Sequence, residues 1–140
     1  MNDLLHAYSL CVLVLFLKML AISCYQGYFR LRNLAFANAE DAAFVGRARC
    51  TQELPQVQRG ARAWANDLEN IPLFFVLGAL AVVLQTPSGM TCVAFFGFVV
   101  ARVLHTVAYL GGWQPWRTIA YGIALVFLLT LATMIGIAVL

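Results

Sequence analysis

The stretch RGARAWANDLENIPLFFVLGALAVVL, residues 59–84, decides the fold. Its apolar part, residues 71–84, falls short of the roughly 20 residues a transmembrane helix needs. It becomes a full span only if one helix begins near Arg59 and carries Arg62, Asn66, Asp67, Glu69 and Asn70 with it. Pro72 lies inside that helix and is expected to kink it or loosen one turn, because its ring removes an N–H and crowds the carbonyl four residues back. Three further apolar runs flank this one, at residues 4–29, 90–110 and 118–140. The first is interrupted only by His6, Lys18 and Gln26. A turn, Thr86-Pro87-Ser88-Gly89, separates the second run from the third, and Pro115 marks a helix start ahead of the fourth. The expected fold class is an all-α membrane protein, a bundle of four transmembrane helices. With no internal repeat or low-complexity segment, residues 1–140 read as a single domain.

Composition supports that reading. Of the 140 residues, 63% are hydrophobic and 11% charged, whereas soluble domains carry about 25% charged residues. The charges concentrate between Arg30 and Glu69, and the net charge is +3. The arginines lie beside spans rather than on a basic domain, which argues against nucleic acid as a partner. Of the cysteines, Cys11, Cys24 and Cys92 lie in apolar segments and read as small buried hydrophobes. With Cys50 they form no C-x-x-C pair, so neither a disulfide framework nor a zinc site is indicated. A cleavable signal peptide competes for the first run. That run is long, however, and its start, Asn2 and Asp3, is not basic.

Loop charges predict the orientation. The first loop, residues 30–58, holds Arg30, Arg32, Arg47 and Arg49, and the third holds Arg117. The second loop and the amino end hold no Lys or Arg. The positive-inside rule then puts loops one and three in the cytoplasm and both termini outside.

Polar residues recur at helical spacing within the spans. Arg62, Asn66 and Glu69 stand at i, i+4 and i+7, one face of span two, and Asp67 points elsewhere. In span three, Arg102, His105, Thr106 and Tyr109 form a second stripe. Span four opens with Arg117, Thr118 and Tyr121, the first and last sharing a face. All three sets lie toward the cytoplasmic ends of their helices and can converge on one pocket. Structural roles compete for each residue, because groups near helix ends snorkel to the headgroups and ion pairs knit helices together. Asp67 and Arg102 fit an interhelical ion pair best, and Lys18 also reads as structural. Several arginines suit carboxylates, and Glu69 beside them suits a primary ammonium. An arginine near a thiol favours the nucleophilic thiolate. A small zwitterionic thiol with two carboxylates meets this description, although spacing alone does not name it.

The strings RAWANDLENIPLF (62–74), ARVLHTVAYLGG (101–112) and PWRTIAY (115–121) resemble the MAPEG family, the membrane-associated proteins in eicosanoid and glutathione metabolism. The loop FRLRNLAFANAEDA (29–42) and the LKM around Lys18 fit the same pattern, so the resemblance spans essentially the whole chain. It points to the glutathione transferase and prostaglandin E synthase branches. It implies a left-handed four-helix bundle assembled as a homotrimer, with glutathione between subunits near the cytoplasmic side. By the same resemblance, Arg62, Asn66 and Glu69 hold the glutathione backbone, and His105 and Tyr109 line the site. Arg117 lies closest to the sulfur, Tyr121 packs or hydrogen-bonds nearby, and Arg30 reaches in from a neighbouring subunit. Arg117, Thr118 and Asp41 are the catalytic candidates. The chain departs from the synthase pattern at Thr118, which replaces serine, at Val45, which replaces a loop histidine, and at Ala65, which replaces an arginine. These departures weigh against the specialised isomerase reaction and leave thiolate chemistry untouched.

The leading expectation is a membrane glutathione transferase that attacks a hydrophobic electrophile or reduces a lipid hydroperoxide, with no metal. The alternatives are a glutathione-dependent prostaglandin E synthase-like isomerase and a non-catalytic lipid-binding scaffold. A small multidrug transporter is disfavoured, since it wants a lone carboxylate in span one where this chain has Lys18. The bacterial inner membrane and the endoplasmic reticulum both suit such a protein.

Overall fold

The structure, a computed structural model, describes residues 3–140, so Asn2 lies outside the described residues. It contains α1 (Asp3–Asn33), α2 (Ala39–Phe44), α3 (Pro55–Val83), α4 (Ser88–Gly111) and α5 (Trp116–Val139). Among these, α1, α3, α4 and α5 are long and apolar enough to cross a membrane. The expected all-α architecture of four spans is therefore present, and the protein is an integral, multi-pass membrane protein.

Each helix is longer than the apolar run that announced it and begins before it, because hydropathy marks the lipid-embedded part whereas a helix extends to where its terminal groups are capped. Thus α3 starts at Pro55 rather than near Arg59, with proline in the first turn, where its missing N–H costs nothing. Ser88 and Gly89, expected in a turn, already belong to α4. The short α2 lies within the first loop, residues 30–58. At Pro72 α3 is uninterrupted, and the proline sits on an exposed side of the helix.

The connections are capped tightly. After α3 the chain turns through Gln85 at φ 50°, and the Thr86 N–H closes back on the Ala81 carbonyl at 3.2 Å. The buried Thr86 and Thr91 hydroxyls meet at 2.8 Å, joining the end of α3 to the start of α4. At the other end α4 stops at Gly112, whose φ of 72° favours glycine, and the Trp113 N–H returns to Ala108 O at 2.9 Å. Arg59 Nη1 donates to the Leu110 carbonyl at 3.1 Å, so the start of α3 caps the end of α4.

Helix α1 packs on α3 and α4, and α5 packs on α4 and α3. An aromatic cluster fills the middle. Phe74 stacks on Phe98 at 4.6 Å and meets Phe95 edge-on at 5.7 Å. Tyr8 packs against the Phe74 and Phe95 rings and donates to the Phe75 carbonyl at 2.9 Å. Gly78 makes that approach possible, since a Cβ there would meet the Tyr8 ring at 2.5 Å.

Phe74 is the hub of this cluster and fully buried. Phe74→Ala should therefore destabilise the protein by about 3 kcal/mol, the scale for losing a buried phenylalanine. Thermal unfolding in detergent micelles should show a clearly lowered midpoint.

Candidate functional site

Antiparallel neighbours bring the polar sets to one end of the bundle. The first half of α3, the last turns of α4 and the first turn of α5 all lie there, as does the end of α1 with Arg30.

At the centre of the polar region is a buried charge cluster. Asp67 has 0% of its surface exposed and is bound by two cations, Lys18 of α1 and Arg102 of α4. Arg102, also 0% exposed, donates from both Nε (3.1 Å) and Nη2 to the same Asp67 oxygen. Its Nη2 further donates to Asn66 Oδ1 at 2.8 Å. The sequence assigned Asp67 and Arg102 to an ion pair and Lys18 to the scaffold. The structure makes these one cluster tying three helices. Lys18 sits midway along α1, too far from the headgroups to snorkel with ease, so a carboxylate within reach is what makes it tolerable there.

A second grouping forms between α4 and α5. The Arg117 guanidinium lies over the Tyr109 ring, 4.6 Å from its centre. His105 packs against Tyr109 at 5.6 Å and against Tyr121 at 6.3 Å. His105 and Thr106 are buried, at 2% and 6% exposure. His105 Nδ1, Thr106 Oγ1 and Arg102 Nη1 make no hydrogen bond within the described residues. Gln114, which the sequence reading did not single out, touches both catalytic candidates on α5. In the amide orientation that satisfies its neighbours, it accepts from Arg117 Nε at 3.1 Å and donates to Thr118 Oγ1 at 3.2 Å. The signal for it was its i, i+4 relation to Thr118, obscured because Gln114 precedes the helix.

Other candidates stand apart. Arg62 and Glu69 are exposed on the surface of α3, one turn to either side of the half-buried Asn66. Arg30 is held by Glu53 of its own chain, with Nη2–Oε1 at 3.0 Å and Nε–Oε2 at 3.3 Å. Glu53 was not anticipated as its partner. Asp41 lies exposed on α2, with no side-chain hydrogen bond among the described residues. Of the cysteines expected to be buried, Cys11 is and Cys92 is half-buried, whereas Cys24 is exposed. Its segment is apolar because it faces outward in a membrane helix, and hydropathy does not separate that from core.

An apolar groove of about 970 Å³ runs between α4 and α5. Phe96, Val100, Leu104 and Val107 line it from α4, and Trp116, Ile119, Ile123 and Phe127 from α5. On α4 these positions fall opposite Arg102, His105, Thr106 and Tyr109 at 3.6 residues per turn. The helix therefore shows a polar face to the charge cluster and an apolar face to the groove. Arg102, His105, Thr106 and Tyr109 are not among the residues that line the groove.

A family model described as the MAPEG family matches residues 8–137. The chain belongs to the MAPEG family. Prostaglandin E synthase of Homo sapiens is 40% identical over 121 residues, covering 86% of this chain and 80% of that protein. The Bos taurus protein of the same name is 38% identical over 124 residues, 88% of this chain and 81% of the relative. Microsomal glutathione S-transferase 1 of Rattus norvegicus is 34% identical over 125 residues, 86% and 81% of the two chains. The MAPEG match takes in every polar set described above, from Lys18 to Tyr121.

The geometry of the charge cluster ranks its members. Asp67→Asn strands two buried cations and should cost about 3–5 kcal/mol. Lys18→Met leaves the Asp67–Arg102 pair intact and should cost far less. Unfolding midpoints of the two variants in the same detergent check this. Equal losses would remove Asp67 from the centre of the cluster.

Proposed function

We propose that this MAPEG protein is a membrane glutathione transferase that works as a homotrimer, with its site at the cytoplasmic end of the bundle. The observation that carries this reading is the open polar row on α3. Arg62 and Glu69 stand exposed on a helix built to cross a membrane, and charges left against lipid there are expensive. A second subunit and a charged ligand would cover them together. Arg62 would clamp a ligand carboxylate, Glu69 would accept a primary ammonium, and Asn66 would bind the peptide backbone between them. Glutathione offers all three groups on one thiol-bearing molecule.

In this reading Arg117 faces the sulfur. Its guanidinium is oriented by the face of Tyr109 and by Gln114, and it still has N–H groups free to donate. A cation held in place favours the thiolate over the thiol. The thiol proton leaves to solvent, the sulfur lone pair forms a bond to an electrophilic carbon, and the leaving group departs with its electron pair. His105, Tyr109 and Tyr121 would form the wall beside this centre, and Arg30 would serve a neighbouring site once released from Glu53. With a lipid hydroperoxide, the same thiolate would attack the terminal peroxide oxygen and break the O–O bond, the alkoxide taking up a proton to leave as the alcohol. The glutathione sulfenic acid formed would react with a second glutathione to give the disulfide and water.

A second reading, glutathione-dependent isomerisation of a lipid endoperoxide, is favoured by the identity to prostaglandin E synthases. It asks more of Thr118 and Asp41. Thr118 is tied to Gln114, and Asp41 sits apart on α2. Conjugation, which needs only an activated thiolate, asks less.

Arg117→Ala should lower kcat for conjugation of chlorodinitrobenzene by about 10²-fold, the scale for removing one preorganised donor. Glutathione affinity by calorimetry should change little. An unaltered rate would take Arg117 out of the mechanism, and absence of glutathione binding in the unmodified protein would overturn the transferase reading itself. If isomerase activity is latent, Thr118→Ser should raise it, as product analysis with an endoperoxide substrate would show.

A further inference from the structure

Asn66 and Asp67 are neighbours in sequence, yet their side chains leave α3 in directions about 100° apart. Asp67 turns into the bundle to meet Lys18 and Arg102. Asn66 lies half-buried between that cluster and the open row of Arg62 and Glu69. Arg102 touches both, because its Nη2 donates to Asp67 and to Asn66 Oδ1.

This contact fixes which way the Asn66 amide points. A guanidinium has donors only and does not lose its proton in a protein. If the amide were reversed, N–H would face N–H in a buried place. The oxygen must therefore face Arg102, and the NH2 is left for the outer side, where it makes no hydrogen bond within the described residues. Arg102 in turn is immobilised by Asp67, and Asp67 is held from its other oxygen by Lys18. The Asn66 backbone is also engaged, its carbonyl accepting from Asn70 Nδ2 at 2.8 Å. Rotating the amide would break a charge-assisted hydrogen bond, among the stronger kinds in a protein interior.

Building on the glutathione reading, we propose that Arg102 is a positioning residue that sets Asn66 as a hydrogen-bond donor toward the ligand. The buried cluster thus does more than join helices. It prescribes an acceptor, a carboxylate or peptide carbonyl oxygen, as the ligand group seated at Asn66. A ligand presenting an N–H at that point is rejected, since its donor would meet the Asn66 donor. Asn66 touches the ligand, and Arg102 acts through it.

The test is a double-mutant cycle in the full chain, reconstituted in detergent, with glutathione itself as the probe. Arg102→Met removes the donor and leaves Lys18 paired with Asp67. Its Kd for glutathione should rise about tenfold, the scale of one hydrogen bond to a charged group, with kcat at saturating glutathione changed less than about twofold. Asn66→Ala should give a similar rise, and the double variant should be no worse than either single. Additive losses, or wild-type affinity in Arg102→Met, would overturn the proposal. If Arg102→Met fails to fold, Asn66→Asp decides. It keeps an oxygen toward Arg102 but offers an acceptor outward, so it should bind at least as poorly as Asn66→Ala. Wild-type affinity in Asn66→Asp would be equally fatal. The unmodified protein separates the two levels of argument, since failure there to bind glutathione sinks the ligand assignment, whereas failure of the cycle sinks only the role of Arg102.

Discussion

Everything at the polar end of this bundle depends on one carboxylate. Asp67 is completely buried in a membrane-spanning helix and is held by cations from two other helices. Between helices in a bilayer there is little hydrophobic drive to associate, because lipid tails are as apolar as leucine. Packing must come from shape, as with Gly78 under Tyr8 and the Phe74–Phe98 stack, and from polar groups with nowhere else to go. The Lys18–Asp67–Arg102 cluster supplies the second kind. It also fixes register, since sliding α1 or α4 by a turn would leave a charge without its partner.

The same cluster explains how α4 can be polar and apolar at once. Arg102 binds Asp67 and Asn66 of α3 and His105 packs against Tyr121, whereas residues on the opposite side of α4 line the apolar groove. A helix of this kind places ionisable groups deep in a membrane protein without setting them against lipid. Arg62 and Glu69 on α3 have no such protection within one chain. Their exposure contrasts with the care taken over Asp67, and it is this contrast that directs attention to a ligand and a second subunit.

Much of this was legible in the sequence for physical reasons that can be named. Long apolar runs specify spans, because an unpaired backbone in hydrocarbon leaves helices as the natural solution. The i, i+4, i+7 spacing of Arg62, Asn66 and Glu69 specifies a face, and the offset of Asp67 specifies that it points elsewhere. Partners across helices were less accessible. Lys18 was seen to be structural, but its place beside Asp67 depends on how α1 crosses α3, which no local spacing encodes. Glu53 as the partner of Arg30 depends on how a loop returns. Gln114 depends on a turn before α5. Short helices such as α2 escape notice because six residues hold too little periodicity to read.

The identities to a prostaglandin E synthase and to a glutathione transferase differ by only a few points, so chemistry has to be argued from side chains. The two reactions share a first requirement, a bound thiol turned into a thiolate, and diverge in what happens to the lipid. In the proposed reading the first requirement would rest on groups braced from behind. Asn66 is braced by Arg102, and Arg117 by Tyr109 and Gln114. The second would rest on Thr118 and Asp41, one engaged with Gln114 and the other on a short exposed helix. Preorganisation is strongest where hydrogen bonds and packing leave a group one orientation. By that criterion Asn66 and Arg117 are better suited to hold a bound group in one orientation than Thr118 and Asp41 are.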